Sequence, residues 1–192
     1  MTPYNVTIDL ETLGTTTNST ILTVGIVKFN PANLVLPFDG IHISLDIKEQ
    51  KAQGRYISPE TIAWWKRQDP KAQEAAFSGE RIPVKEALKM IQDYFKVMDS
   101  TNPKSDQILI SEVWGQGYGF DMTMLGDLFD KNDMEKPWKF YQERDSRTLF
   151  SLLSEDPRPA AGKDTLHNAL SDAYYQSQGI QIAFDKLRSL KS

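Results

Sequence analysis

Three β-type segments lie between Tyr4 and Leu45, and the rest of the chain is mostly helical with one return to strand; this order constrains the fold more than any other feature. From Tyr4 to Leu10 the residues alternate: Val6, Ile8 and Leu10 point one way, Thr7, Asp9 and Glu11 the other. Thr20 to Phe29 is rich in β-branched residues and reads as a second strand. Asn30-Pro31 marks a turn, and Asp39-Gly40 leads into a third strand over Ile41 to Leu45. Three successive strands predict an antiparallel meander.

Ser58-Pro59 then supplies an N-cap and a first helical residue for a helix carrying Ile62, Trp64 and Trp65. Pro83 opens a longer helix with Val84, Ala87, Leu88, Ile91 and Phe95 on one face. Ile108 to Trp114 is a fourth strand, ended by Gly115, Gly117 and Gly119. A helix is expected from Phe120 to about Lys131, an irregular stretch from Asn132 to Gln142, and a short helix after Asp145, which caps it. A last helix is expected from about Asn168 to Leu190, with Leu170, Ala173, Tyr174, Ser177, Phe184 and Leu187 inward and a break at Gly179. The order predicts an α/β fold: a central mixed sheet with helices on both faces. At 192 residues the chain suits a single domain over 1–192, and it holds no internal repeat or low-complexity tract.

Composition narrows the chemistry. The chain has no cysteine, which excludes disulfide scaffolds, thiolate zinc sites and cysteine nucleophiles. No apolar run approaches membrane-spanning length and no signal peptide is visible at the N-terminus, so a cytoplasmic setting with no membrane partner is expected. The net charge is −4, unlike a sequence-independent nucleic-acid coat protein, which would be basic. An acidic chain can still meet phosphates if its carboxylates hold divalent cations.

Asp9 and Glu11, two apart on a strand, share a face, an unfavourable pairing unless solvated or bound to a cation. Asp121 enters a helix after a glycine-broken strand, where an aspartate also suits the helix dipole. His167 and Asp172 are five residues apart, which on a continuous helix turns them about 140° away from each other. To share a site, His167 must stand in the loop or at the very start of the helix, with Asn168 or Thr165 as N-cap. The other histidine, His42, has no carboxylate motif beside it. Each of these features alone has an ordinary structural reading.

Together, Ile8-Asp9-Leu10-Glu11-Thr12, Gly119-Phe120-Asp121 and His167-Asn168-Ala169-Leu170-Ser171-Asp172-Ala173 resemble the motifs of the DEDDh family of 3′→5′ exonucleases, of RNase H-like (DnaQ-like) fold. Ser58 to Trp65, Val113-Trp114-Gly115 and Arg144 to Thr148 are similar to the branch containing phage exonuclease A and the nuclease domain of exodeoxyribonuclease VIII, which also holds bacterial exoribonucleases. Gln116-Gly117-Tyr118-Gly119 is more glycine-rich than that branch.

The resemblance implies Asp9, Glu11, Asp121 and Asp172 as ligands of two divalent ions, Mg²⁺ or Mn²⁺, and His167 as general base. It also implies that the backbone around Thr12 and Leu13 meets the terminal sugar, with Leu13 placed to wedge against the last base. Trp64 and Trp65 are aromatic platforms on which bases can stack, Trp64 the better candidate, and Phe120 is a further candidate substrate contact. Leu13 is equally open to a core role; Ile62 and Trp65, at i, i+3 spacing, look like core. Arg147 is open to two readings, pairing with Asp145 or contact with phosphate. The implied reaction is hydrolysis from a free 3′ end, releasing 5′-mononucleotides from single-stranded DNA. RNA is the alternative substrate, and a catalytically silent nucleic-acid-binding module on the same fold a second alternative. Oligomeric state is not legible in the sequence.

Overall fold

In a computed structural model, residues 4–32, 34, 39–96, 110–117, 119–159 and 167–190 are described. Five strands form one mixed sheet in the order β3-β2-β1-β4-β5. They are β1 (Tyr4–Thr12), β2 (Ile21–Phe29), β3 (Asp39–Ser44), β4 (Ile110–Gly115) and β5 (Glu143–Asp145). β1 to β3 are the expected antiparallel meander, while β4 joins β1 and β5 joins β4 in parallel. The strand carrying Asp9 and Glu11 is therefore the centre of the sheet. Expected residue Ile108 and alternative cap Thr165 lie outside the described residues.

Seven helices are described: α1 (Ile47–Ala52), α2 (Pro59–Trp65), α3 (Pro70–Phe77), α4 (Val84–Phe95), α5 (Asp121–Lys131), α6 (Ser146–Phe150) and α7 (Ala169–Ser189). The alternation of β1 sorts the layers. Val6, Ile8 and Leu10 join Val24 and Ile26 in a core closed by Val84, Ala87, Leu88, Ile91 and Phe95 of α4 and by Leu125, Leu128 and Phe129 of α5. Each large side chain sealed there is worth roughly 1.5–3 kcal/mol. The other face of β1 meets α7, where Thr7 and Ser177 share a hydrogen bond of 2.8 Å between hydroxyls. A smaller core of Phe29, Trp114, Leu149, Ile180 and Ala183 fills the far end of that face. None of the described helices is long and apolar enough to cross a membrane.

Several local expectations change. Gly179 does not break α7; the helix runs through it, and the glycine leaves room where a Cβ would fall 2.7 Å from the Arg158 Cγ and 3.0 Å from Phe150. Ala173 and Ser177 of α7 are buried as expected, but Leu170, Tyr174, Phe184 and Leu187 are only half-buried, and Gln176, Ile180 and Gln181 take the deeper positions. The stretch after Asn132 ends in a 3-10 turn, Phe140–Gln142, and the three-residue strand β5.

Candidate active site

β1 brings the first two acids to the centre of the sheet and then bends. Its register with β2 slips between Glu11 and Thr12, which pairs Thr12 with Ile21. The corner is braced from outside: the Trp65 indole N–H donates to the Thr12 carbonyl at 2.9 Å, and the Thr12 hydroxyl donates to the Gly14 carbonyl at 2.7 Å. Arg55 clamps the following loop, donating to the Ser19 carbonyl at 2.9 and 2.7 Å and pairing with Asp127 of α5 at 2.8 Å.

α7 delivers Asp172 because Gly25 lets it. Gly25 is the β2 partner of Asp9. A Cβ on Gly25 would lie 2.1 Å from the Ala169 carbonyl carbon, so the first turn of α7 rests on bare backbone. Asn168 caps that turn by accepting the Ser171 N–H at 3.1 Å. His167 precedes the cap with φ 62°, a left-handed conformation uncommon in a non-glycine residue. It stands outside the helix, as its spacing from Asp172 requires. Its ring packs edge-on against Trp64, with centroids 4.9 Å apart, and lies 6.2 Å from the Trp65 ring.

Asp121 arrives from the start of α5. It is only 3% exposed; its Oδ1 accepts the Leu10 N–H at 3.2 Å and its Oδ2 the Gln116 N–H at 3.0 Å. Gly115 leaves room for it, since a Cβ there would lie 3.0 Å from that Oδ2.

All five residues line one open cleft of 940 Å³, together with Gln116, Phe120, Arg147, Arg158, Tyr175 and Gln176. One oxygen each from Asp9, Glu11 and Asp172 lies within 4.8 Å of the others. Asp121 is not in that trio. Leu10, Glu11 and Phe120 also line a second cleft of 800 Å³, shared with Thr12, Ser58, Trp64, Trp65 and Arg67. Glu11 therefore stands where two clefts meet.

The electrostatics are those of carboxylates crowded together without enough positive charge. Burial, reinforced by Asp121, Glu11 and Asp172, holds the Asp9 carboxyl well above its ordinary range. Burial and the neighbouring Asp172 and Asp121 push Glu11 up to about 8. Burial raises Asp121 to about 7 against its two N–H donors, and Asp172 to about 6. Burial lowers His167. Among the described residues, no lysine or arginine is ion-paired with Asp9, Glu11 or Asp172. Buried, hard oxygen donors that resist ionising next to one another fit a divalent cation such as Mg²⁺ or Mn²⁺.

These are nuclease-like features, and the comparisons agree. A family described as the 3′-5′ exoribonuclease Rv2179c-like domain matches residues 4–184. The chain belongs to this family. The Rv2179c-like match takes in β1, α5 and the greater part of α7, so Asp9, Glu11, Asp121 and Asp172 all fall inside it. The chain is also similar to an exodeoxyribonuclease of Enterobacteria phage T4, 29% identical over 169 residues, 78% of this chain and 72% of the phage protein. The mixed sheet with helices on both faces accords with an RNase H-like exonuclease domain.

The other sequence-derived contacts divide. Thr12, Trp64 and Phe120 line the second cleft. Leu13 does not: it is 3% exposed and packs with Leu22, Trp65, Ala72 and Ala76, the core alternative of its two readings. Trp65 is core, as its spacing with Ile62 predicts, but it also carries the hydrogen bond that braces the corner. Asp145 is a cap. His42 does not line the cleft. Gln176 belongs to none of the motifs: its side-chain N–H donates to Asp9 Oδ1 at 2.7 Å, while its buried Oε1 has no partner among the described residues. The signal was available, since Gln176 is four residues after Asp172 and shares its helix face.

Proposed function

We propose that this protein is a metal-dependent DEDDh-type 3′→5′ exonuclease that removes 5′-mononucleotides from the free 3′ end of a single strand. The observation that carries the reading is the convergence of Asp9, Glu11 and Asp172 oxygens within 4.8 Å, in a cleft that also holds Asp121 and His167. Asp9, Glu11 and Asp172 would hold a divalent ion, with Asp121 serving a second; the ions would supply charge stabilisation and a more acidic bound water. His167 takes the proton of the attacking water at an imidazole nitrogen; burial keeps that nitrogen free at lower pH than an ordinary histidine. Water oxygen bonds to phosphorus, the bond to the 3′ oxygen of the preceding nucleotide breaks, and that oxygen takes a proton from solvent to become a new 3′ hydroxyl. Gln176 orients the Asp9 carboxylate through its N–H. The corner at Thr12, with Trp64 and Phe120, receives the terminal nucleotide. We take residues 1–192 as one exonuclease domain, because the site draws on both the first strand and the last helix.

The likeness to the phage exodeoxyribonuclease supports DNA as the substrate. A second reading, RNA, is favoured by the description of the family. Labelled single-stranded DNA, single-stranded RNA and duplexes with 3′ overhangs, digested side by side in Mg²⁺, Mn²⁺ or chelator, test both. Single-stranded DNA is expected to be shortened fastest and only with metal. Faster loss of RNA would move the assignment to the second reading, and full activity in excess chelator would exclude the metal mechanism.

A further inference from the structure

Two guanidinium groups line the acidic cleft, and they are not equivalent. Arg158 is committed. It makes three contacts of 2.6 to 3.1 Å with Asp156, donates to the Gln116 side chain at 3.0 Å, and lies over the Phe150 ring at 5.8 Å. Its donors are tied up by Asp156 and Gln116, although its charge also reaches Asp172.

Arg147 is different. The natural partner by sequence, Asp145, is already occupied: it accepts the N–H groups of Gly117, Arg147 and Thr148 and the Thr148 hydroxyl. The Arg147 side chain lies instead beside Gly117 and reaches the Gln116 carbonyl only at 3.5 Å. Among the described residues it forms no ion pair, and it is exposed. It lines the same cleft as Asp121, whose carboxyl feels its charge. A solvated arginine on a helix of five residues would be ordinary on an open surface. Here the fork opens on a cleft whose other charges repel a polyanion.

The geometry points to Arg147 as the contact for a phosphate of the retained strand, one linkage or more on the 5′ side of the cut. This rests on the exonuclease reading above and deepens it. A nucleotide leaving from a free 3′-OH end carries only the scissile phosphate, which belongs at the acids. Any other phosphate in the cleft must therefore come from the strand that stays. A planar guanidinium with unused donors suits a phosphate better than a point charge does. Arg147 acts in binding and registers the strand; it takes no part in the chemical step.

The test uses 5′-labelled single strands with the intact protein and Arg147→Ala, cleavage being measured in Mg²⁺ and binding in an Asp9→Asn background. Arg147→Ala is expected to raise KM roughly tenfold with kcat within about twofold. It should also reduce the slope of log affinity against log salt by about 0.7, one single-strand phosphate. A strand with one neutral methylphosphonate, moved linkage by linkage, should weaken the intact protein at a single position and leave Arg147→Ala indifferent there. Equal salt slopes and equal methylphosphonate profiles in the two proteins would overturn the assignment of Arg147 alone. Failure of the unaltered protein to shorten strands from the 3′ end would instead overturn the exonuclease reading beneath it.

Discussion

His167 occupies a backbone conformation that costs a non-glycine residue of order 1–3 kcal/mol, and the cost has a visible return. At φ 62° the residue leaves the path of α7, so its ring meets Trp64 and faces the acids across five residues of sequence. Replacement by Ala is expected to slow cleavage by roughly 10²–10⁴-fold while leaving Mn²⁺ binding intact, because the proposed mechanism uses the ring as a base and not as a ligand. Burial disfavours the imidazolium, so the group is a free base above a pKa lower than the usual value of about 6.5. The rate of the unaltered protein should therefore climb with pH through a midpoint below that value, and His167→Ala should lose the limb. A rate–pH profile with the same limb in both proteins would place the base elsewhere.

At the scale of elements, the junction of β2 and α7 holds the site together. Gly25 reads in sequence as one more residue of an apolar strand, yet its missing Cβ is what lets α7 carry Asp172 and Gln176 to Asp9. Gly25→Ala is expected to destabilise the fold by about 1–3 kcal/mol or more and to weaken metal binding with it, because the helix must lift. Gly179→Ala should be milder, since the nearest atoms there belong to the side chains of Arg158 and Phe150. Thermal melts with Mn²⁺ titrations compare the two; a Gly25→Ala protein with unchanged melting and affinity would contradict this view of the junction. The same junction shows what could be read in advance. Alternation marks β1, β-branched content β2 and a turn signal β3, and proline and serine starts mark α2 and α4, because those signals are local. α1 and α3 were not seen: they are six and eight residues long, too short for a clear period. α1 is instead fixed by Gln50, which exchanges hydrogen bonds with the Ile21 backbone at 2.9 and 2.8 Å. The five candidate site residues were legible as motif positions, and all five line one cleft. Gly25 and the Trp65 brace were not legible, because their roles exist only once distant segments touch; Gln176 shares a helix face with Asp172 but belongs to no motif that marks it.

The whole molecule feels its carboxylates through pH. Glu11 at about 8, Asp121 at about 7 and Asp172 at about 6 are all raised above their unfolded values, which lie near 4. The folded protein thus holds protons that the unfolded chain releases. Stability from these groups is full below about pH 4 and is lost as pH rises towards 8. With chelator present, the melting temperature is expected to fall across that window and to recover on adding Mg²⁺ or Mn²⁺, which bind the folded state. Asp9→Asn, with one charge fewer, should melt higher than the unaltered protein in chelator at pH 8 while losing nearly all activity. A melting temperature in chelator that rises steadily from pH 5 to 8 would contradict the crowding.

The central claim, that this cleft cuts only from a free 3′ end, is tested most directly by three 5′-labelled single strands in Mg²⁺. One ends in a 3′-OH, one in a 3′-phosphate, and one is closed into a circle. The account predicts a descending ladder with release of 5′-mononucleotides from the first, strong inhibition with the second, and an intact circle. Rapid cleavage of the circle would contradict it, whatever the metal ligands prove to be.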